Sequence, residues 1–323
     1  MSQNPSQPGP KAGETPSIDA FSALDPSARA LAAGDLRAVF LPGLGMLGAS
    51  LCHRDEELLG RVDDVKGLAI AGRTCGIPLL HPWANRLDGK RYQAAGREVA
   101  LDSSSALIGH DDAGLPMHGV PWSRLAWQVT GEDSSTLTAL LEWTTRELLA
   151  VFPFPHRLKM IVGLRPDSLT VETTLVAGAS GPVPVSFGFH PYFRIPGLSR
   201  SQWQVRLPAM LRLLLDQHKI PSGQETPFHA VNTALREREF DDGFALLDSR
   251  VSFSVGGGGR HITVEFLEGY PYAQVYAPRG KDYLAIEPMT APANALVTGR
   301  GLRIMEPGRM FRATFRIGVE ALP

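Results

Sequence analysis

The stretch Ser168-Leu-Thr-Val-Glu-Thr-Thr-Leu-Val176 decides the fold class of this chain. Apolar and polar side chains alternate along it, so that one face carries Leu169, Val171, Thr173 and Leu175. Successive side chains of a strand point to opposite faces of a sheet, and this period of two therefore predicts a β-strand. One face of the strand would be buried and the other solvated, which is typical of antiparallel sheets.

The same alternation recurs elsewhere in the chain. Apolar residues take every second position in Ile262–Phe266 and in Phe311–Ile317. Further candidate strands are Leu36–Leu41, Met46–His53, Leu137–Trp143, Leu158–Leu164, Trp203–Leu207, Leu211–Leu215, Val251–Val255 and Tyr272–Ala277. The chain also holds 33 glycines and 26 prolines in 323 residues, which indicates many turns between short strands.

Helical patterns are scarce, and only Thr144–Ala150 and Val231–Phe240 predict short helices. Many strands with almost no alternation of strand and helix predict an all-β fold, an antiparallel sandwich or barrel. Residues 1–17 are polar and rich in proline, without an apolar anchor, and predict a disordered leader. No shift in composition divides the remainder, so we interpret residues 18–323 as a single β domain.

Composition argues against several classes of protein. The formal net charge is −1 and no basic run stands out, so the electrostatic footprint of a nucleic-acid or anionic-membrane partner is missing. No apolar run is long enough to span a bilayer, and the N-terminus lacks a signal pattern. Cys52 and Cys75 are too few for a disulfide framework. A soluble cytoplasmic protein is the default interpretation, and the sequence does not indicate an oligomeric state.

The segment Ser186-Phe-Gly-Phe-His-Pro-Tyr-Phe193 places a titratable imidazole inside an apolar, aromatic stretch. Pro191 cannot donate to a sheet ladder, so the chain should leave regular pairing at His190. A neutral imidazole can donate a proton at one nitrogen and accept one at the other, which suits proton transfer near pH 7. Taken alone, however, a histidine in such a stretch is more often a core residue bonded to the backbone.

Five other polar groups lie in apolar or turn-rich settings: Asn85-Arg86, His118, Asp241, Gln274 and Glu287. Asparagine and arginine offer the donors and acceptors that hydroxyl recognition needs, although an Asn-capped turn with a solvated arginine fits equally. Asp241-Asp-Gly243 is typical of a turn. Glu287 ends an apolar run. It is either a solvated charge at a strand end or an enclosed carboxylate, in which case burial would raise its pKa and make it a usable general base.

No cofactor motif accompanies these groups. The histidines lack the carboxylate or cysteine spacing of a zinc site, and we expect neither a metal nor another cofactor. Gly256–Gly259 has no following Lys-Ser/Thr and no strand–helix context, so it is interpreted as a hairpin loop rather than a phosphate cradle.

The chain resembles the aldose 1-epimerase (galactose mutarotase) family in a series of short motifs that occur in the family's order: Asn85-Arg86, His118-Gly119, His190-Pro-Tyr-Phe193, Asp241–Phe244, Gln274, and Glu287 with Pro292. The resemblance extends from about Leu36 to Ile317. It implies a large antiparallel β-sandwich, the supersandwich of galactose mutarotases, with an open cleft for a small-molecule sugar. It also implies an isomerase that interconverts the α and β anomers of an aldose without a cofactor.

The resemblance assigns catalytic roles to three residues. Glu287 matches the general base that removes the proton from the anomeric hydroxyl. His190 matches the acid that protonates the ring oxygen as the ring opens. His118 matches a second histidine that hydrogen-bonds near the ring oxygen. A base and an acid on opposite sides of the reacting centre are sufficient for this chemistry, and each positioned proton transfer contributes about 10²–10⁴-fold.

The resemblance also implies the groups that bind the substrate. Arg86, with Asn85 beside it, matches a sugar-binding pair. Asp241 matches a carboxylate that accepts hydrogen bonds from sugar hydroxyls. Gln274 matches a glutamine close to the reacting end of the sugar.

Several positions depart from the family's pattern: Phe189, Arg194-Ile195, Asp242 and Ala293-Asn294. Because the proposed acid and base are both present, these departures bear on which sugar is bound rather than on the type of reaction. Phe189 and Arg194, which flank the central motif, are where the sequence predicts an altered substrate.

Three alternatives stay open. A hexose-6-phosphate 1-epimerase-like enzyme would need further basic groups at the cleft, for which Arg91, Arg194 and Arg279 are candidates. A non-catalytic carbohydrate-binding protein would keep the fold without needing an acid and a base. A glycoside hydrolase would use Asp241 and Glu287 as its two carboxylates but would leave the histidines unexplained.

Overall fold

The computed structural model describes residues 18–321, and the leader predicted for residues 1–17 lies outside this range. The strands, in chain order, are β1 (Arg29–Ala33), β2 (Leu36–Leu41), β3 (Leu47–His53), β4 (Glu56–Glu57), β5 (Leu79–Leu80), β6 (Arg91–Ala94), β7 (Arg97–Ala100), β8 (Gln128–Glu132), β9 (Thr136–Trp143), β10 (His156–Arg165), β11 (Ser168–Ala177), β12 (Val183–Val185), β13 (Gly188–Phe189), β14 (Tyr192–Phe193), β15 (Gln204–Leu207), β16 (Met210–Leu215), β17 (Pro221–Phe228), β18 (Val231–Ala234), β19 (Phe240–Leu246), β20 (Val251–Gly257), β21 (Arg260–Glu268), β22 (Tyr272–Ala277), β23 (Leu284–Met289), β24 (Arg303–Met305) and β25 (Met310–Ala321).

The helices are short: α1 (Ile18–Leu24), α2 (Val65–Ile70), α3 (Arg146–Val151) and α4 (Ala295–Thr298), with 3-10 turns at Pro42–Leu44, Trp122–Arg124 and Arg200–Gln202. Helix α3 confirms the short helix predicted at Thr144–Ala150. The helix predicted over Val231–Phe240 is wrong, because its first residues form β18 and pair with β15 at the edge of a sheet. That pairing is tertiary, and it overrides local helix propensity. No described helix is long and apolar enough to cross a membrane.

Two large sheets dominate residues 18–321. One is nine-stranded, in the order β18-β15-β20-β21-β25-β11-β10-β9-β8, and the other is eight-stranded, in the order β17-β16-β19-β22-β23-β13-β5, with β14 also paired to β23. Their strand pairs are antiparallel, and β1–β4 form a separate four-stranded sheet. The all-β prediction is therefore confirmed.

The three stretches with the clearest alternation lie side by side in the nine-stranded sheet. Val171 of β11 is opposite Phe315 of β25, and Phe315 is in turn opposite Phe266 of β21. Val264 and Val171 are fully buried, whereas the polar residues between the apolar ones are partly solvated. Each of these strands thus gives one complete face to the core, as the period of two predicts.

The eight-stranded sheet packs against that apolar face and forms the second layer of the sandwich. Phe189 of β13 contacts Phe315 of β25, with ring centroids 5.1 Å apart. Both rings are buried in a core cluster that includes residues of both sheets. Burying a phenylalanine side chain stabilises a fold by roughly 1.5–3 kcal/mol, and an aromatic pair adds about 1 kcal/mol. Such contacts fix the position of the sheet that carries the candidate site.

The outer face of the eight-stranded sheet carries the polar groups. Val275 of β22 and Ile286 of β23 are buried in the core, so the preceding Gln274 and the following Glu287 point to the opposite face. Asp241-Asp-Gly243 lies within β19 and pairs with β22, so its interpretation as a turn is wrong. Pairing with β22 outweighs the local turn preference of these residues. The hairpin predicted at Gly256–Gly259 is confirmed between β20 and β21, where Gly258 has φ +57°.

Candidate active site

A cleft of about 600 Å³ lies over the outer face of the eight-stranded sheet. Gly243, Gln274 and Glu287 are direct cross-strand neighbours there, on β19, β22 and β23. Gly243 has no side chain, and its carbon approaches the Gln274 amide oxygen so closely that an added Cβ would lie 3.2 Å from it. The row therefore presents one amide and one carboxylate at the floor of the cleft.

His190 continues this row at the point where the chain leaves the sheet. Strand β13 ends at Phe189 and β14 begins at Tyr192, which confirms the prediction that the chain leaves regular pairing at His190. The backbone N–H of His190 donates to the carbonyl of Pro78, 3.1 Å away, which fixes the residue after the strand ends. Its Nε2 atom lies 3.1 Å from Oε1 of Glu287, and the two side chains are only 7% and 2% exposed.

Tyr192 supports the imidazole of His190 from one side. The two rings stack with centroids 4.2 Å apart, and the phenol oxygen lies 3.2 Å from His190 Nε2. The same phenol is hydrogen-bonded to the hydroxyl of Thr74 at 2.7 Å. The ring of His190 therefore has a fixed orientation toward Glu287.

Burial shifts the pKa values of His190 and Glu287 in opposite directions. Desolvation lowers the pKa of His190 well below its usual value, and the charges of His118 and Arg61 lower it further. Desolvation raises the pKa of Glu287 well above its usual value, with Asp241 adding to the rise and Arg86 opposing it. Between these two pKa values the pair holds one ionisable proton. Transfer across the 3.1 Å contact converts the neutral pair into a carboxylate and an imidazolium.

His118 faces His190 across the cleft, with ring centroids 5.7 Å apart. The backbone N–H of Asn85 donates to Nδ1 of His118 at 3.2 Å, so the neutral ring carries its proton on Nε2. Burial, aided by the charge of Arg86, lowers the pKa of His118 to about 3. At neutral pH His118 is therefore an uncharged hydrogen-bond donor through Nε2.

The loop that carries Asn85 and Arg86 is held by side chains on both sides. Arg86 Nε donates to Asp111 Oδ2 at 2.8 Å, and both side chains are largely buried. The backbone N–H of Asn294 donates to the carbonyl of Arg86 at 2.8 Å, and its side-chain oxygen accepts from the N–H of Asp88 at 2.9 Å. The asparagine at this departure from the family's pattern thus holds the loop that carries Asn85 and Arg86.

Asp241 is bonded through both of its carboxylate oxygens. Gln274 Nε2 donates to Oδ1 at 3.0 Å, and the ammonium of Lys219 forms an ion pair with Oδ2. Lys219 reaches it from the turn between β16 and β17. The three side chains form one charged and amide-bearing cluster that lines the cleft.

A sequence model of the family described as aldose 1-epimerase matches residues 49–318 of this chain. The chain belongs to the aldose 1-epimerase family. It is 25% identical over 310 residues to a protein of Escherichia coli K12 named uncharacterized protein YihR, a match that covers 89% of this chain and 91% of that protein.

Solved structures share the fold of this aldose 1-epimerase family member. A galactose mutarotase-like protein from Clostridium acetobutylicum superposes with a TM-score of 0.80 at 18% identity, over 91% of this chain and 95% of the other. The GalM/aldose epimerase homologue from C. elegans gives a TM-score of 0.75 at 15% identity, over 92% and 99% of the two chains. At these identities the likeness establishes the galactose mutarotase-like sandwich and nothing finer.

In this family member, the residues that the sequence predicts for the site all line one cleft: Asn85, Arg86, His118, His190, Asp241, Gln274 and Glu287. Sequence reasoning did not identify Tyr192 as a partner of His190, although it lies in the quoted motif. It also missed Lys219 and Arg61, which line the same cleft. Among the described residues, no group of three or more His, Cys, Asp or Glu side chains is arranged to hold a metal ion.

Phe189 and Arg194, the positions at which the sequence predicts an altered substrate, do not face the cleft. Phe189 points into the core against Phe315, because it has the opposite strand parity to the cleft-facing residues. Arg194 pairs with Asp63 at 3.5 Å and donates to a backbone carbonyl. Neither residue lines the cleft. Ala293 does line a small recess beside Asn85 and Asp241.

Proposed function

We propose that the protein is an aldose 1-epimerase that interconverts the α and β anomers of a hexose or related aldose. The observation that carries this proposal is the 3.1 Å contact between His190 Nε2 and Glu287 Oε1 at the floor of the cleft. Membership of the aldose 1-epimerase family supports it. A cytoplasmic location and a role in hexose metabolism belong to the same proposal.

The reaction needs one proton removed and one supplied at neighbouring atoms. The ring oxygen and the anomeric hydroxyl oxygen are bonded to the same carbon, so an acid and a base that lie side by side can reach both. This geometry replaces the expectation that the two groups act from opposite sides of the reacting centre. Carboxylate Glu287 takes the proton of the anomeric hydroxyl, the bond from the anomeric carbon to the ring oxygen breaks, and imidazolium His190 protonates that oxygen.

The open-chain aldehyde then rotates about the bond to its carbonyl carbon and closes on the other face. Closure is the reverse transfer: neutral His190 removes the proton from the attacking hydroxyl, and Glu287 returns one to the carbonyl oxygen. The pair starts and ends with the same single proton, so each cycle balances. Since burial disfavours separated charges, the neutral pair formed on ring opening is also the state that the site favours.

The remaining groups position the sugar. Neutral His118 donates through Nε2 toward the ring oxygen, because burial lowers its pKa to about 3 and leaves it uncharged at neutral pH. Asp241, Gln274 and Arg86 offer charged and amide partners to hydroxyl groups. Hydrogen bonds to charged groups contribute about 1.5–3 kcal/mol each, which suits recognition of a polar substrate.

Polarimetry on freshly dissolved α-glucose and α-galactose tests this function. We expect the wild-type protein to accelerate the change in optical rotation above the buffer rate for at least one aldose. The Glu265→Gln variant, which removes a carboxylate on the opposite sheet, serves as the control and should match the wild type. If no aldose mutarotates faster than in buffer, the proposed function is wrong.

A glycoside hydrolase and a non-catalytic binding protein are less well supported. A glycoside hydrolase that used Asp241 and Glu287 as its two carboxylates would leave the contact between His190 and Glu287 without a role. A binding protein would not need two buried proton-carrying groups in contact, since leaving such groups desolvated costs free energy.

A further inference from the structure

A second groove, of about 400 Å³, lies on the outer face of the nine-stranded sheet. Val205 of β15 and Val255 of β20 are buried in the core, so the residues that alternate with them point away from it. His190 and Glu287 lie on the outer face of the other sheet, with the core of the sandwich in between. The groove is therefore a separate site, and the proposed epimerase reaction does not use it.

The groove follows β20, which carries small residues where its neighbours carry long ones. Ser254 lies opposite Arg206 of β15. Gly256 lies between Gln204 of β15 and His261 of β21. All five of these residues line the groove. The small residues form its floor and the long polar side chains form its two walls, so the shape of the groove follows from the sequences of three adjacent strands.

Two polar groups of the groove have no partner in the described part of the chain. Ser254 is only 5% exposed, and no described residue is hydrogen-bonded to its hydroxyl. Nε of Arg260, which also lines the groove, is buried and lacks a hydrogen-bond partner within residues 18–321. Burying a polar group without a partner costs free energy. Donors that the fold itself leaves unused indicate a site that a ligand completes.

The charge of the groove is positive. Its arginines are Arg206 and Arg260, and no aspartate or glutamate of the described residues lines it. Arg260 forms an ion pair with Glu56 of β4, whereas Arg206 has no ion-pair partner among residues 18–321. The amides of Gln204 and Asn232 add further donors. The groove therefore offers many donors and one uncompensated positive charge, which is the chemistry that binds an oxyanion.

We propose that this groove binds a phosphate group, with Arg206 and Ser254 as its principal donors. The guanidinium fork donates two parallel hydrogen bonds to an oxyanion, and the hydroxyl donates a third. A phosphate group has enough oxygen atoms to accept these bonds together with those of the neighbouring amides, whereas a carboxylate has only two oxygens. The volume leaves room for an organic part, because pockets for small molecules begin at about 300 Å³. No aromatic side chain of the described residues lines the groove, so it offers no stacking surface for a nucleobase.

Isothermal titration calorimetry of the wild-type protein tests this site, with inorganic phosphate, glycerol 3-phosphate and acetate as probes at fixed ionic strength. We expect saturable binding of both phosphate compounds, and an affinity for acetate that is weaker by about tenfold or more, because the carboxylate carries less charge and fewer acceptors. Binding of either phosphate compound supports the site, and the tighter of the two identifies the ligand as a phosphate ester or as the free ion.

Variants locate the binding. Arg206→Gln should weaken phosphate binding by about tenfold or more and Ser254→Ala by about threefold, because a charged hydrogen bond contributes more than a neutral one. Arg206→Lys should recover part of the affinity. Arg165→Gln is the matched control, since Arg165 is an exposed arginine of the same sheet that lies outside the groove, and it should bind phosphate as the wild type does.

The proposal is overturned if the wild type shows no saturable binding of either phosphate compound, or if Arg206→Gln binds phosphate as tightly as the wild type. It is also overturned if Arg61→Gln, which removes an arginine of the catalytic cleft, loses phosphate binding while Arg206→Gln keeps it. Urea unfolding checks the fold of each variant, and Arg206→Gln should unfold at the wild-type urea concentration because Arg206 is exposed. Calorimetry does not depend on turnover, so failure of the proposed epimerase function would leave the binding result unchanged.

Discussion

Nε2 of His190 lies 3.1 Å from Oε1 of Glu287, and burial lowers the pKa of the imidazole and raises the pKa of the carboxyl. The contact joins a residue that follows β13 to a residue within β23, so it depends on the pairing of these strands across Gly188 and Met289. The consequences of this arrangement can be measured in several independent ways.

The pH dependence of kcat/KM should have a plateau between the lowered pKa of His190 and the raised pKa of Glu287. Burial lowers the pKa of His190 below 6.5, so only at more acidic pH does the pair gain a second proton and lose its base. Burial raises the pKa of Glu287, so the shared proton, and with it the acid, is lost only well above the range of an ordinary carboxyl. An acidic limb centred at or above pH 6.5 would contradict this assignment.

Asp241→Asn should raise KM about tenfold, because a charged acceptor becomes a neutral amide. The charge of Asp241 raises the pKa of Glu287, so its removal should also shift the alkaline limb of the kcat/KM profile to lower pH. Asp242→Asn is the matched control, since Asp242 lies on the other face of β19 and pairs with Arg212. An unshifted alkaline limb in Asp241→Asn would show that the two carboxylates do not interact.

Gly119→Ala should destabilise the protein and misplace His118. Gly119 has φ +67°, and an added Cβ would lie 2.4 Å from the carbonyl oxygen of His81. We expect a loss of roughly 2–4 kcal/mol in the free energy of unfolding, measured with urea, and a lower kcat/KM. Gly114→Ala also has a positive φ but meets no atom within 4 Å, so it should lose only about 1 kcal/mol. If the two variants lost the same free energy of unfolding, the predicted clash with the His81 carbonyl oxygen would be ruled out.

His156 should make the folded state sensitive to mild acid. It is buried, its Nδ1 is bonded to the Phe154 carbonyl and its Nε2 to His81 Nε2, and burial lowers its pKa to about 4. Between pH 6.5 and 4 the unfolded state binds more protons, so the free energy of unfolding falls as the pH falls, by roughly 3 kcal/mol from this residue.

Urea unfolding at pH 7.5 and pH 4.5 measures that fall. His156→Gln removes the titrating group. Between the two pH values, the free energy of unfolding of this variant should therefore fall by about 2 kcal/mol less than that of the wild type. His229→Gln, at an exposed position, is the control and should keep the full loss. The same loss in His156→Gln and the wild type would mean that His156 does not titrate on unfolding.

Alternation decides how much of the fold can be predicted. Ser168–Val176 and Phe311–Ile317 bury every second side chain, and that pattern is visible in the residues themselves. The strand at Val231–Ala234 could not be recognised, because it exists only through pairing with β15. The same holds for Asp241–Gly243, whose local turn preference yields to β22. The secondary structure of such segments is determined by pairing with strands that are distant in the sequence.

The candidate site was predictable where one motif carries the chemistry. His190 and Glu287 are unusual as polar groups in apolar runs, and this is visible without coordinates. Lys219 could not be predicted, since it reaches Asp241 only from a turn between two distant strands. Arg61, which lines the same cleft, carries no motif either. The burial of Phe189 in the core could not be predicted, because proximity to His190 in sequence does not decide the face to which a side chain points.

The most direct measurement of the central claim is the rate at which the α and β anomers of an equilibrated aldose interconvert. NMR measures this rate from the anomeric proton signals in the presence of wild-type protein or of Glu287→Gln. The variant keeps the size of the side chain but cannot take up a proton as a carboxylate does. We predict that it slows anomer exchange about 10²–10⁴-fold while the dissociation constant of the sugar, measured by calorimetry, changes less than fivefold. Exchange by Glu287→Gln at the wild-type rate would contradict the assignment of Glu287 as the base.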